Sequence, residues 1–511
     1  MMKFAKKLCL IAALLLVVVP FGINTKAQSL PFEGIEATVL TFTGPQIAEP
    51  LQRRAPDFQK LTGAKITITT VPNADLYNTI LKDQSTGTNS YQGFVLYPQW
   101  TADFVNYLEP LDDYIAKDKD IQWDDVMPFF RETTSKYAGK TVVIPLDGDF
   151  LMVYYRTDVF AKNNLKPPTT WDEYLAAAKA LNGQDMAGDG KPSYGSCISK
   201  ARSQQSYWWL WAIAAPYLQT QGTKQGAFFD TETMKPLTLN DGFIRALEIM
   251  KETGQYGPPN ENTLNVGDTR GLFTSGHCAL SLDWGDIGPL AIASGSKVVD
   301  KTGAVIAPGT KQVVDFKTGK LVDCDKTTCP YAVNGVNYAP YAAAGGWSAG
   351  VSAAADPKVK QAVYAFFAYV SAPPQSDVDV TLGKTGFNPY RKSHFSELKF
   401  WTDAGMSEAA AKDYLGAIQA SLNNPNFVLD ITIPHNQEYQ QVQLDTIQSQ
   451  FLAGQIDAKT AAQNVFDAWE TLTNKYGRDA QKQAYLAALG IGSSVSGGTG
   501  AGATMEPTKA K

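Results

Sequence analysis

The chain lacks the marks of a metal or nucleic-acid protein. No CxxC or HxxxH spacing occurs, so a zinc site has no framework. Basic residues are not in excess: 45 Lys and Arg stand against 50 Asp and Glu, a formal charge of −5. That balance argues against nucleic acid or an anionic membrane face as a partner. No multi-copy repeat is present, which argues against a solenoid. The apolar run Leu8–Val19 is only about twelve residues, too short to cross a bilayer comfortably.

What is present at that end is a secretory leader pattern. Lys3, Lys6 and Lys7 precede the run, Pro20 breaks it, and Thr25-Lys26-Ala27 offers small residues where signal peptidase needs them. Cleavage after Ala27 is expected, so residues 1–27 read as a signal peptide. A retained anchor is the alternative. Cys9 lies too early, without a small-residue box, for a lipid-modified N-terminus. Loss of the leader removes four lysines, moves the formal charge to −9 and leaves 484 residues. That length implies more than one core.

Four cysteines remain: Cys197, Cys278, Cys324 and Cys329. An even count outside the cytosol favours two disulfides, with three pairings open. The short polar loop Cys324-Asp-Lys-Thr-Thr-Cys329 favours Cys324–Cys329, which leaves Cys197–Cys278. Two buried free thiols at 197 and 278 are the alternative.

The first mature segment alternates β-branched runs (Ile35–Phe42, Ala64–Val71, Gln92–Tyr97) with helical stretches (Pro45–Leu61, Ala74–Lys82). This order predicts a parallel sheet covered on both faces. A second set starts with strands at Thr141–Pro145 and Phe150–Tyr155. A helix follows, with a capping box at Thr170 and Glu173 and one apolar face through Trp171, Tyr174, Leu175, Ala178 and Leu181. Asp356-Pro357 starts another, with Val359, Val363, Phe366 and Val370 inward. Residues 298–341 read as a β-rich insertion of two hairpins, Val299–Ile306 and Val313–Cys324, each with Lys-Thr-Gly at the turn. Residues 492–511 are Gly/Ser/Thr-rich and are expected to be a disordered tail.

Several motifs invite chemistry. Gly346-Trp-Ser348-Ala-Gly350 matches the G-x-S-x-G elbow of hydrolases, with His394 and His435 downstream. The elbow needs a helix directly after the serine, yet Val351–Ala355 reads as strand, so Ser348 is expected to be a small strand residue. Asp185 and Asp189 resemble half a calcium loop, but Ala187 and Ser196 replace two ligands, and a polar Asp-Gly turn is the simpler reading. The tryptophans are more informative. Trp100 ends the third strand, Trp208, Trp209 and Trp211 cluster, Trp284 sits in Asp283-Trp-Gly-Asp286, and Trp347 follows two glycines. Flat rings beside carboxylates such as Asp147 and Asp149 suit a polyhydroxylated ligand, since rings cover C–H faces and carboxylates accept from hydroxyls. Paired acids also fit a glycosidase, although spacing is not legible in sequence.

Several stretches carry a family resemblance. They are Trp100–Tyr114 with its Leu108-Glu-Pro-Leu-Asp112, Ile144-Pro145 followed by Val153–Phe160, and Pro167–Tyr174. Leu272–Leu280 with Trp284, Gly345–Val370 and Gly386-Phe-Asn-Pro-Tyr-Arg391 complete the set. In this order the chain resembles the extracellular solute-binding proteins of family 1, the sugar-binding group serving ABC importers. Arg156 stands where that family commonly has Asn.

The resemblance implies an α/β, type II-like periplasmic-binding-protein fold of two lobes joined by three crossings. Lobe one would take 30–145 plus 335–353 together with the 298–341 insertion, and lobe two 150–298 plus 354–490. The site would comprise Trp100, Asp147, Asp149, Trp208, Trp284, Asp286 and Trp347. Arg391 would orient a polar group or brace its turn. The implied function is capture of a sugar, oligosaccharide or polyol by hinge closure, without catalysis or cofactor. The protein would act as a periplasmic monomer that delivers to an inner-membrane permease. Two rival readings are a secreted serine hydrolase using Ser348 and a polyamine carrier using Asp147, Asp149, Asp283 and Asp286. Tyr154 and Tyr155 also resemble iron-binding tyrosine pairs.

Overall fold

The computed structural model describes residues 30–491 other than Pro45 and Ala344; the expected leader (1–27) and tail (492–511) lie outside the described residues. In chain order the strands are β1 (Glu36–Phe42), β2 (Lys65–Val71), β3 (Gly93–Leu96), β4 (Lys136–Tyr137), β5 (Lys140–Thr141), β6 (Ile144–Pro145) and β7 (Met152–Arg156). They continue as β8 (Tyr194–Cys197), β9 (Cys278–Asp283), β10 (Thr302–Ile306), β11 (Gln312–Asp315), β12 (Lys320–Asp323) and β13 (Ser348–Val351). None of the described helices is long and apolar enough to cross a membrane.

Two sheets form the centres of two lobes. The first has the order β2-β1-β3-β13-β6 and the second β10-β7-β9-β8. The β-branched runs β1 and β2 pair in parallel from Glu36↔Lys65 to Phe42↔Val71. The helix Ala48–Thr62 between them buries Leu51, Ala55 and Phe58 against the sheet. β13 comes from far along the chain and inserts antiparallel between β3 and β6. In lobe two, Thr170 and Glu173 form the expected capping box at the head of the helix Trp171–Leu181.

Two boundaries differ from the sequence reading. The helix Pro357–Ser371 belongs to lobe one, although lobe two was expected to resume at 354. It packs on the helix Ala48–Thr62 and on β13 and β6, with Phe366 edge-on to Phe58 at 5.4 Å. The next helix, Pro373–Asp379, also stays there, because the buried Asp379 carboxylate receives Arg53 and Arg54. An amphipathic stripe states that a face is covered, not by which sheet. Only beyond Arg391 does the chain return to lobe two, where the helix Glu408–Leu422 lies along β10.

The 298–341 insertion differs too. Its first piece forms no hairpin: β10 pairs antiparallel with β7 as the edge of the lobe-two sheet. The β11–β12 hairpin is formed, with its turn at Phe316–Gly319, and packs on the helices Ser206–Leu218 and Asp241–Thr253. The insertion therefore builds on lobe two, not on lobe one. Both disulfides are present. Cys197–Cys278 links the adjacent strands β8 and β9 with Cα atoms 6.0 Å apart, and Cys324–Cys329 closes the loop after β12 at 5.3 Å.

Three crossings meet at the lobe junction, and one carboxylate touches all of them. Asp147 lies on the first, between β6 and β7. Its Oδ2 accepts from the Trp347 N–H on the second (3.3 Å), and its Oδ1 from the Asn388 N–H on the third (2.7 Å). The strands come so close that a Cβ at Gly148 would collide with the Pro389 carbonyl, and one at Gly346 with the Asp147 carbonyl.

Arg391 anchors the third crossing to lobe one. Its guanidinium is fully buried and donates to the carbonyls of Ser371 (2.8 Å), Ile121 (2.9 Å) and Gln122 (3.2 Å). It braces the fold. Arg391→Met should lower unfolding free energy by about 3–5 kcal/mol in urea titrations, since three buried carbonyls lose their donor. Ligand affinity of the folded fraction should be unchanged, and a selective loss of affinity would move Arg391 into the site.

Candidate functional site

A cleft of about 300 Å³ opens where the two sheets face each other across the crossings. Lobe one contributes Phe42, the last residue of β1, and Tyr97, directly after β3, at the carboxyl ends where open parallel sheets place their ligands. Lobe two contributes Trp208 from the helix Ser206–Leu218, Trp284 and Asp286 after β9, and Arg270 from the helix Val266–Thr274. Asp149 and Trp347 come from the crossings themselves.

The aromatic rings form a continuous wall. Trp347 lies 3.7 Å from Tyr97 and 4.6 Å from Phe42, centroid to centroid. Tyr97 meets Trp208 edge-on at 5.1 Å, and Trp208 meets Trp284 edge-on at 5.6 Å. Two indole nitrogens are occupied: Trp208 donates to Asp430 (2.8 Å), and Trp284 donates to Gln205, itself a cleft residue (2.9 Å). The rings are thereby held in place, leaving apolar surface for a ligand.

The charged side of the cleft centres on Arg270. Its Nη2 donates to Asp283 (2.7 Å) and its Nη1 to Asp286 (2.9 Å). Asp283 also accepts from the Trp284 N–H (2.7 Å), which fixes the turn carrying that ring. Both carboxylates raise the guanidinium above its ordinary value, so Arg270 stays charged despite burial. Across the cleft, the Asn388 amide nitrogen donates to Asp149 (2.8 Å) and to Asp147 (3.1 Å). Burial raises Asp149 well above the usual carboxylate range, and the neighbouring Asp147 and Asp286 raise it further.

Five of the expected site residues line the cleft: Asp149, Trp208, Trp284, Asp286 and Trp347. Three do not. Trp100 is buried behind Tyr97, edge-on to it at 5.0 Å, because the turn at Pro98–Trp100 sends its ring back into lobe one. Asp147 has both oxygens engaged in tying the crossings, and Arg391 braces the third. Of the clustered tryptophans, Trp209 donates to the Leu282 carbonyl and Trp211 packs among Phe228, Phe243 and Trp469, so both are core.

Ser348 is a buried residue of β13, paired on both sides and followed by three further strand residues, so the hydrolase elbow is not formed. His394 accepts from the Tyr390 N–H and lies beside Ser376, while His435 stacks on Tyr476 at 3.7 Å. Tyr154 donates to the Trp284 carbonyl (2.8 Å), and Tyr155 lies against Phe160, so the two do not converge as an iron pair. Asp185 is occupied by the amides of Gly188, Asp189 and Gly190 as the cap of a polar turn. Among the described residues no cluster of three or more His, Cys, Asp or Glu is placed to hold a metal.

Sequence reasoning missed Tyr97, Phe42 and Arg270. Arg270 carried a signal. It stands three residues before Phe273 on the buried face of its helix, where a cation persists only with a partner.

The profile of the bacterial extracellular solute-binding protein family matches residues 44–376. The chain belongs to that family. This solute-binding protein is 28% identical over 213 residues to the mannitol-binding protein of Pseudomonas aeruginosa, covering 41% of its own chain and 45% of that relative. The match thus spans less than half of the relative's length. Among solved structures, a ribitol complex of a solute-binding protein from Agrobacterium radiobacter K84 is 20% identical with a TM-score of 0.69. A D-mannitol complex of one from Agrobacterium vitis S4 is 21% identical with a TM-score of 0.66. Both superpositions cover 86% of this chain, and 100% and 99% of the respective partners. They establish a shared two-domain fold.

The buried acids of the solute-binding protein make its stability depend on pH. Burial lifts Asp147 to about 7, with Asp286 adding to the effect. Burial lifts Asp283 to about 6 against the pull of Arg270, and Asp430 and Asp445 also to about 6. Folded-state values above the unfolded ones mean stabilisation that is complete below about pH 4 and lost as pH rises through about 6–7. His394 opposes this, since burial lowers it and its contribution fades as pH falls through about 6.5. With these four acids and Asp149 raised against one lowered histidine, the ligand-free Tm should rise from about pH 8 to about pH 5.5. Asp147→Asn should flatten that rise. A flat or inverted profile in the native protein would contradict the assignment.

Proposed function

We propose that this chain is the extracytoplasmic capture component of an ABC importer, binding a small uncharged polyhydroxylated ligand, a sugar or linear polyol, between its lobes. The observation that carries the reading is the divided wall of the cleft. Tyr97 and Phe42 stand on one lobe, Trp208, Trp284, Asp286 and Arg270 on the other, and Asp149 and Trp347 at the junction. A ligand can meet all of them only when the lobes are together, so binding favours closure. Indole and phenol faces cover its C–H surfaces, while Asp149, Asp286, Arg270 and Gln205 exchange hydrogen bonds with its hydroxyls.

The similar proteins that carry mannitol or ribitol in their names support this ligand class. The polyamine reading is weaker, because Asp283 and Asp286 already hold Arg270. The capture calls on no covalent step and no cofactor. A closed, monomeric protein in the periplasm, freed of its leader, would be the form read by the permease.

Titration of the secreted protein with D-mannitol, ribitol, maltose and putrescine, followed by tryptophan fluorescence, tests the reading. At least one of the first three should saturate the signal and reduce the radius of gyration in solution scattering. Trp347→Ala should weaken that binding about tenfold or more while leaving the protein folded. Saturation by putrescine alone would replace the proposed ligand class.

A further inference from the structure

The interlobe space does not end at the aromatic cleft. Ala343, in its wall, also lines a narrow neck with Gln99, Thr134, Leu429 and Thr432. Leu429 and Thr432 in turn line a second cavity of about 450 Å³, larger than the first, between the β4–β5 hairpin of lobe one and the lobe-two segments carrying Phe228 and Phe427. The three spaces follow one another along the same interface.

Their chemistry differs. The first is rich in hydrogen-bonding side chains, whereas apolar groups such as Phe228, Phe427 and Leu489 make up more of the second, although Gln219, Thr223 and Thr432 also line it. Its charges are already matched. Lys136 pairs with Glu132 at the rim, and Asp430 is held by Trp208 and Gln440. A second sugar ring placed there would bring more hydroxyls than these walls can pair, since the Gln219 amide nitrogen already donates to the Asn426 and Phe427 carbonyls, at a desolvation cost. An uncharged apolar group would not. In the neck, Gln99 is buried, yet its Oε1 has no hydrogen-bond partner, although its main-chain carbonyl receives Asn436. A buried acceptor without a donor, in the neck between the two cavities, is suited to a ligand hydroxyl.

We propose that the second cavity is a subsite for an uncharged apolar substituent on the ligand, as in an alkyl or aryl glycoside. The polyhydroxylated head would occupy the aromatic cleft, and Gln99 would accept from a hydroxyl at the junction. This rests on the polyol reading of the cleft and extends it.

Calorimetric titration of the secreted protein with two matched pairs tests it: D-mannitol against 1-O-hexyl-D-mannitol, and maltose against hexyl β-D-maltoside. Where the parent binds, the hexyl compound should bind about tenfold tighter or better, from burial of its methylenes. Leu429→Asp should leave parent binding within about twofold and abolish the hexyl advantage. Tyr137→Arg, on the half-exposed hairpin, should do the same and serves if the first variant folds poorly. Equal or weaker binding of the hexyl compound beside a parent that binds would overturn the subsite alone. So would an advantage that survives both substitutions. Absence of binding by all four compounds would overturn the polyol reading and the subsite with it.

Discussion

A single buried carboxylate organises the junction on which this molecule depends. Asp147 sits on the first crossing and accepts main-chain hydrogen bonds from the second and the third, so three strands from distant parts of the chain share one acceptor. The glycines beside it make this possible, since a Cβ at Gly148 or Gly346 would force the crossings apart. On either side of that tie each lobe has its own sheet and its own helical cover. Asn388 extends the tie into the cleft by holding Asp147 and Asp149 together, and so joins the structural junction to the binding surface.

The electrostatics of the cleft follow from the same economy of partners. Arg270 takes both Asp283 and Asp286, while burial, with Asp147 and Asp286 nearby, raises Asp149 well above the usual carboxylate range. The Arg270 cation of the cleft is therefore already matched by carboxylates of the protein. A site of this kind gains from many modest hydrogen bonds and from ring faces, which is the chemistry of neutral polyhydroxylated compounds. The indoles of Trp208 and Trp284 are held by Asp430 and Gln205, which preorganises them and reduces the ordering cost of binding.

The places where sequence and structure part company share a cause. The stripe Val363, Phe366 and Val370 announced a buried helix face but carried no record of which sheet it covers. Val299–Ile306 read as part of a hairpin because its alternation fits any antiparallel partner, and that partner proved to be β7, well over a hundred residues earlier. Trp100 stands at the right end of the right strand, yet a single turn beginning at Pro98 gives the cleft to Tyr97 instead. Arg391 and Asp147 carry the residue types of a ligand site but are consumed by buried main-chain groups.

Local chemistry by itself determined the leader pattern, the order of strands and helices, the capping box at Thr170, the preference for Cys324–Cys329 and the family resemblance. Each of these rests on residues close in sequence or on a pattern read in order. Tertiary structure alone decided which lobe each late element joins, which tryptophans face the cleft and which acids meet Arg270. Those outcomes depend on contacts between residues far apart in the chain, where many pairings satisfy the same local preferences and only simultaneous packing selects one.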